Sequence, residues 1–353
     1  MKRIVTLSLV LAMCLALLTG CGGSQSEQTQ EPAESQGTEE TGSTGGSEAE
    51  FVWVASCANT EDHPAVQGVM KFAELLEEKS GGRIHMDVFH SAQLASDRDC
   101  IEGMQINTIQ SGIMVGSALA GFTDELLVFD LPFLFENYEQ VEKVVSNEEL
   151  MNEILGEFVD YGIRPMAAYE NGLRVISSNK KIESLADLKG MKMRVPQAPI
   201  SIAIFNALGA NATPVAFNEL YSALQQGVVD GQENGYPTFT SNRYYEVQKY
   251  IAETYHMWSI NELFVSDVFW QKLTPELQEI VQTACEESGV YQRNLYREMQ
   301  DSSKQEALDN GVEITYPDMT EWKEATESVY TDFYAEYDWG EEVVQKILDC
   351  ANS

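Results

Sequence analysis

TPELQEIVQTACEESGVYQRNLYREMQDSSKQEALDNG, residues 274–311, is the stretch that decides the architecture. Thr274 is a good N-cap, and Pro275 suits the first helical position, where no backbone N–H is needed. Nothing stops the helix firmly before Asn310-Gly311; only Gly289 could divide it. About 36 residues rising 1.5 Å each give roughly 54 Å. A lobe of about 150 residues has a radius of gyration near 15 Å. A continuous helix would therefore outrun one lobe and lie across two. A break at Gly289 would instead give two ordinary helices.

Outward from this helix, strand-type and helix-type patterns alternate. Phe51-Val-Trp-Val-Ala55 reads as a strand, and Val66, Val69, Met70, Ala73 and Leu76 recur at helical spacing up to Gly81-Gly82. Residues 83–89 alternate like a strand, 97–107 are helical, and 109–115 and 126–135 are apolar and strand-like. A helix over 138–159 precedes strands at 162–169, 173–177 and 193–195. Helices then follow at 200–208 and 217–226, a short strand at 228–230 and an extended segment at 262–268. After the long helix, 312–316 returns as a strand. Helices begin at Asp318, with Glu321 three on as a capping box, and near Gly340. Such alternation predicts α/β lobes with largely parallel sheets. Single cores tend to split beyond roughly 250–300 residues, so a chain of 353 residues should form two lobes.

Charge excludes one class of partner. Lys and Arg total 22 against 56 Asp and Glu, a formal net charge of −34. With no basic run beyond Met1-Lys2-Arg3, such a chain repels phosphate backbones, and nucleic-acid binding is not expected. Met1-Lys2-Arg3 is instead the positive start of a signal peptide (residues 1–20). Its nearly unbroken apolar run, 4–18, is too short for the roughly 20 residues of a membrane span. Leu18-Thr19-Gly20-Cys21 resembles the bacterial lipobox, which makes Cys21 the expected lipidation site and new N-terminus; an ordinary secretory signal is the alternative. From Gly22 to Glu50 the chain has no bulky apolar residue, seven Glu and no Lys or Arg. It cannot offset its ordering entropy, and residues 21–50 read as a flexible acidic tether with a reach of roughly 30 Å. The chain is then held outside the cell, touching the membrane only through its N-terminal lipid. Cys57, Cys100, Cys285 and Cys350 could pair in three ways, but none forms a C-x-x-C, and buried free thiols are expected.

Catalytic constellations are missing from the sequence. It contains no G-x-S-x-G, H-E-x-x-H, P-loop or G-x-G-x-x-G. His85 and His90, five apart near a strand, face opposite ways; His63 and His256 lie in unrelated segments. No metal, no cofactor and no enzyme activity are expected.

The most specific blocks run from Asn171 to Asn234. They are Asn171-Gly-Leu-Arg-Val-Ile-Ser-Ser-Asn179, Asp187-Leu-Lys-Gly-Met-Lys-Met-Arg-Val-Pro196, Ala207-Leu-Gly-Ala210, Pro214-Val-Ala-Phe217 and Glu219-Leu-Tyr-Ser-Ala-Leu-Gln-Gln-Gly-Val-Val-Asp-Gly-Gln-Glu-Asn234. Gln93-Leu94 with Asp97-Arg98, Leu131-Pro-Phe-Leu-Phe135, Trp270 and Gly311-Val-Glu-Ile flank them. This pattern, covering residues 51–353, closely resembles the DctP family, the extracytoplasmic solute receptors of TRAP transporters. The resemblance implies a periplasmic-binding-protein-like (type II) α/β fold: two hinged lobes around a cleft, with a long helix spanning both. Lobe I would comprise 51–171 with 263–298, and lobe II 172–262 with 299–353. It further implies a monomeric receptor that delivers a small organic acid, either a sugar acid such as a uronate or a C4-dicarboxylate, to a sodium-driven two-part permease.

By the same resemblance Arg194 pairs with the ligand carboxylate and Arg174 lines the cleft beside it. Phe217 packs on the ligand, and Asn234 and Gln197 offer polar contacts. The residues agree with part of this. Arg174 and Arg194 sit in short apolar strands, where an unpaired guanidinium is costly, and each needs a carboxylate for its planar fork. That carboxylate could equally be an internal Asp or Glu. There are departures from the family pattern. Gly235-Tyr236-Pro237 follows Asn234 where many members place Pro directly, which makes Tyr236 a candidate contact. Gly112-Ile-Met-Val-Gly116 lacks the acidic residue of sialic-acid receptors, and Asn107 stands where Gly is usual. An exported enzyme or an adhesin reusing the same cleft remains the alternative.

Overall fold

The computed structural model describes residues 49–353. The signal peptide expected at 1–20, the lipid site expected at Cys21 and nearly all of the tether expected at 21–50 lie outside the described residues. The strands of the described residues are β1 (Phe51–Cys57), β2 (Ile84–Phe89), β3 (Ser111–Val115), β4 (Ile163–Leu173), β5 (Val175–Ser178), β6 (Lys192–Val195), β7 (Asn211–Pro214), β8 (Gly231–Asn234), β9 (Tyr250–Ala252), β10 (Trp258–Ser266) and β11 (Glu313–Thr315). The helices are α1 (Pro64–Ser80), α2 (Asp97–Gln105), α3 (Tyr138–Val145), α4 (Glu148–Leu155), α5 (Pro199–Ala207), α6 (Leu220–Gln225), α7 (Tyr236–Ser241), α8 (Asp267–Trp270), α9 (Pro275–Asp309), α10 (Thr320–Glu336) and α11 (Gly340–Ala351).

The strands form two sheets, ordered β2-β1-β3-β10-β4 and β11-β9-β5-β8-β6-β7. Each mixes directions: β2, β1 and β3 are parallel, as are β8, β6 and β7, but β10 and β5 run antiparallel to their neighbours. The largely parallel sheets expected from the alternation are thus interrupted where the chain passes from one sheet to the other. That passage is abrupt. β4 ends the first sheet at Leu173, β5 opens the second at Val175, and Arg174 alone lies between. The return passage is residues 253–257, and the backbone N–H of Arg174 donates to the Met257 carbonyl across the two connections (2.9 Å).

The long helix is continuous. Thr274 accepts from the Leu277 N–H (3.3 Å), and α9 runs unbroken for 35 residues, about 52 Å. Gly289 does not divide it. A Cβ there would lie 3.4 Å from both the Ala167 Cβ and the Ala168 carbonyl oxygen, so the glycine lets α9 lie close against β4. Tyr296 fixes the same helix to the passage: its hydroxyl donates to the Asn171 carbonyl (2.6 Å), and its ring occupies the space a side chain at Gly172 (φ 78°) would need. On the other side α9 meets α7, which follows the second sheet. One rigid rod therefore touches elements of both lobes.

Trp53, Phe72, Leu263, Leu277 and Val281 pack α1 and α9 onto the first sheet, and Val175, Ile251, Phe239, Tyr244 and Ala307 fill the second. Full burial of each large apolar side chain is worth about 1.5–3 kcal/mol, so neither lobe depends on a ligand for its core.

Several boundaries differ from the sequence reading. All of β10 belongs to the first sheet, including residues 258–262 that the sequence places in lobe II, and β4 carries that sheet to Leu173 rather than 171. The C-terminal helices do not belong to lobe II alone: α10 packs on α5, whereas α11 packs on α3 and α4 beside the first sheet. The apolar run 126–135 is a 3-10 turn (Glu125–Asp130) and a loop, not a strand. The helix expected over 138–159 is α3 and α4, each capped by an asparagine, Asn137 and Asn147. Val228–Asp230 is a turn preceding β8, and α10 starts at Thr320 with Asp318 accepting from its N–H (2.9 Å). Asn107 has φ 59°, a backbone region that asparagine tolerates better than most residues. The four cysteines of the described region are free thiols; three are buried and Cys350 is half-buried.

Candidate ligand-binding site

A cavity of about 250 Å³ opens between elements of the two sheets. Asn59, Asp97, Met114, Ser117 and Asn261 line it from the first lobe, and Arg194, Gln197, Phe217, Asn234 and Thr238 from the second, with Asn171 and Arg174 at the passage between them. This is small even for a small-molecule pocket, which is typically ~300–1,000 Å³.

Arg194 occupies the third position of β6 and is 3 % exposed. Its Nε–H donates to the Val215 carbonyl (2.9 Å), which holds the guanidinium in place. No carboxylate of the described residues forms an ion pair with it. Burial lowers its pKa to about 10, against weaker support from Tyr244 and Glu233. A buried cation with two N–H-bearing nitrogens and no internal counterion is built to receive an anion.

Arg174 is different. It pairs with the equally buried Glu233, through Nε and through Nη2 to Oε1 (2.9 Å). Nη2 also donates to the Glu233 carbonyl (3.0 Å) and to Asn234 Oδ1 (2.9 Å). Burial opposes its charge, but the Glu233 carboxylate outweighs that and raises the pKa. The internal-carboxylate alternative is the one that applies here. Only Nη1 is left, a buried donor without a partner.

Asn234 lines the cavity while serving Arg174. With Oδ1 accepting from the guanidinium, its amide must donate to Gln232 Oε1 (2.6 Å), and Gln232 in turn donates to Ser177 Oγ (2.7 Å). Phe217 is half-buried on the cavity wall, and Gln197 is exposed at its edge. Tyr236 is not brought to the cavity. It is fully buried in the second core, its hydroxyl donates to Glu253 Oε2 (3.4 Å), and Lys304 lies over its ring. α7 starts at Tyr236, and its turn carries that side chain away from the cavity and Thr238 towards it.

The sequence reading did not assign Asp97, Asn171, Thr238 or Asn261 to the site. Asp97 and Asn171 stood inside blocks that carried the family resemblance; Thr238 and Asn261 had no sequence signal. Asn261 contributes a buried Nδ2 donor without a partner. Asp97 contributes an acceptor whose pKa burial raises to about 6, tempered by Arg194. The site thus offers one unpaired cation, further donors and the carboxylates of Asp97 and Asp99.

Outside this lining, burial also raises Asp130 to about 7 and Glu262 to about 8. All three hold protons that the unfolded chain has released, so their contribution to stability is lost as pH rises through these values. His63 and His256, lowered by burial to about 4, act oppositely only below about 6.5. Raising pH from 6.5 to 8.0 should therefore cost on the order of 2 kcal/mol and lower the melting temperature by several degrees. A melt at pH 8.0 equal to that at 6.5 would mean that Asp130 and Glu262 titrate normally.

Two sheets joined at a short passage, a rod touching both and an arginine-bearing cavity between them define a two-lobed solute receptor. The chain belongs to the bacterial extracellular solute-binding proteins, family 7 (DctP), which residues 55–337 match. It is 31% identical over 279 residues to the C4-dicarboxylate-binding periplasmic protein DctP of Rhodobacter capsulatus, covering 77% of this chain and 83% of that one. It is also 35% identical over 270 residues to an uncharacterized protein of Sinorhizobium fredii, covering 76% of this chain but spanning only about half (49%) of that relative. A TRAP periplasmic solute-binding protein from Haemophilus influenzae with bound L-gulonate superposes with a TM-score of 0.82 at 30% identity, covering 85% of this chain and 99% of that one. Another, from Xanthobacter autotrophicus with bound β-D-galacturonate, gives 0.81 at 28%, covering 84% and 99%. Family members are solute-binding proteins that work with membrane permeases, and the family is extracytoplasmic. No helix of the described residues is long and apolar enough to cross a membrane.

Proposed function

We propose that this chain is a lipid-anchored, monomeric receptor that captures a sugar acid, closes its cleft over it and hands it to a TRAP permease. The observation that carries this is Arg194, a buried guanidinium that faces the cavity and forms no ion pair with a carboxylate of the described residues. It takes the ligand carboxylate as a fork. Phe217 covers an apolar face of the ligand, Gln197 closes the edge, and Asn234 acts by holding Arg174.

The preference for a sugar acid over a dicarboxylate rests on charge. Glu233 already neutralises Arg174, so Arg194 is the one guanidinium of the lining left for a ligand carboxylate. A second ligand carboxylate would meet Asp97, whereas a hydroxyl would donate to it. The gulonate and galacturonate bound by the two structural relatives support the same class. Calorimetry with D-galacturonate, L-gulonate and succinate tests this. Tight binding of a sugar acid and at least tenfold weaker binding of succinate is expected, with no chemical change to either; succinate bound as tightly would overturn the assignment.

Anchoring rests on Leu18-Thr19-Gly20-Cys21. Cys21→Ser should release the protein from the membrane fraction or leave its signal uncleaved. Unchanged membrane retention and lipid labelling would sink the lipid anchor without touching the ligand reading.

A further inference from the structure

His63 and Thr238 meet from opposite lobes, behind the cavity that Thr238 lines. His63 caps α1, which packs on the first sheet, and Thr238 sits on α7, which follows the second. Both side chains are almost wholly buried, at 0 % and 1 % exposure. The backbone N–H of Ala65 donates to His63 Nδ1 (3.1 Å). That nitrogen must be the acceptor, so in the neutral ring the proton is on Nε2. Nε2 lies 2.9 Å from Thr238 Oγ1 and is therefore the donor in that bond. The threonine oxygen accepts, and its own O–H, given no other acceptor among the described residues, is free for the cavity that Thr238 lines.

We propose that His63 is a positioning residue that makes Thr238 an obligate hydrogen-bond donor to the ligand. The inference rests on the sugar-acid reading above and adds a polar contact that reading does not contain. A hydroxyl can normally turn to donate or accept; here the helix cap removes that freedom through two hydrogen bonds. Thr238 then recognises an oxygen lone pair, from a carboxylate, a ring oxygen or a hydroxyl that in turn donates elsewhere. Asp97 is a carboxylate of the lining able to take such an onward hydrogen. Together they suit a polyhydroxy acid, in which one hydroxyl accepts from Thr238 while it or a neighbour donates to Asp97.

The experiment uses D-galacturonate and isothermal calorimetry on the purified receptor, with an apo melt for every variant. Thr238→Val should weaken binding threefold to tenfold, the range for one neutral hydrogen bond, and Thr238→Ser should bind as the parent does. His63→Asn keeps a side chain that caps helices well but is too short to reach Thr238. It should melt close to the parent yet lose affinity by the same factor as Thr238→Val. The double variant His63→Asn/Thr238→Val should lose no more than either alone, which a merely structural role would not produce. If the parent binds galacturonate and Thr238→Val binds equally well, the donor assignment is overturned; if the two losses multiply, the His63 role is overturned. A parent that binds no sugar acid overturns the functional reading, and this inference with it.

Discussion

Arg194→Gln should weaken sugar-acid binding by about a hundredfold while leaving the apo protein as stable as before. The charge-assisted pair is worth about 1.5–3 kcal/mol, and more in a desolvated cavity. Arg194→Lys should recover only part, because an ammonium cannot form two parallel bonds to one carboxylate. The apo melting temperature should hold or rise, since among the described residues the one hydrogen-bond partner lost is the Val215 carbonyl, and a buried unpaired charge is removed with it. Affinity by calorimetry and an apo melt together decide the matter. A variant that melts much earlier yet binds normally would move Arg194 from the ligand site to the scaffold.

Glu233→Gln should do the opposite. Glu233 is 1 % exposed and paired with an arginine that is 3 % exposed, so removing its charge strands a buried cation. Breaking such a pair costs about 3–5 kcal/mol, a fall in melting temperature on the order of 10 °C for a chain of this size. The variant also gains a second uncompensated cation at the cavity. Succinate should therefore bind it better, relative to galacturonate, than it binds the parent. An unaltered melt would show that Arg174 has another counterion.

The contrast between the two arginines marks what a sequence can convey. In sequence each sits in a short apolar stretch, and each plainly needs a carboxylate. Whether that carboxylate is internal depends on strand register: β5 and β8 pair Ile176 with Glu233 and Val175 with Asn234, across some 57–59 residues. No spacing rule predicts that pairing, so Glu233 went unassigned. The long helix was legible because a cap, a proline and the lack of a stop are local signals. Its glycine was ambiguous because Gly289 answers to the β4 backbone, a tertiary neighbour. The apolar run 126–135 was misread for a similar reason, since a buried 3-10 turn and a buried strand both appear as continuous apolar sequence. Tyr236 failed as a contact because a helix begins at that residue and turns it into the second core.

The cavity holds its unpaired cation inside a chain of net charge −34, and Asp97 and Asp99 stand in its lining. An anionic solute approaching from a distance meets repulsion first and attraction only on entry. In dilute salt, where the Debye length is about 30 Å, that repulsion extends far from the surface; at about 0.15 M it has shrunk to roughly 8 Å. Encounter should accordingly quicken as ionic strength rises, the reverse of a surface that steers its ligand in. The escape rate depends on a desolvated pair that salt hardly screens, and it should stay nearly constant. Affinity is then set by salt through arrival and by Arg194 through departure.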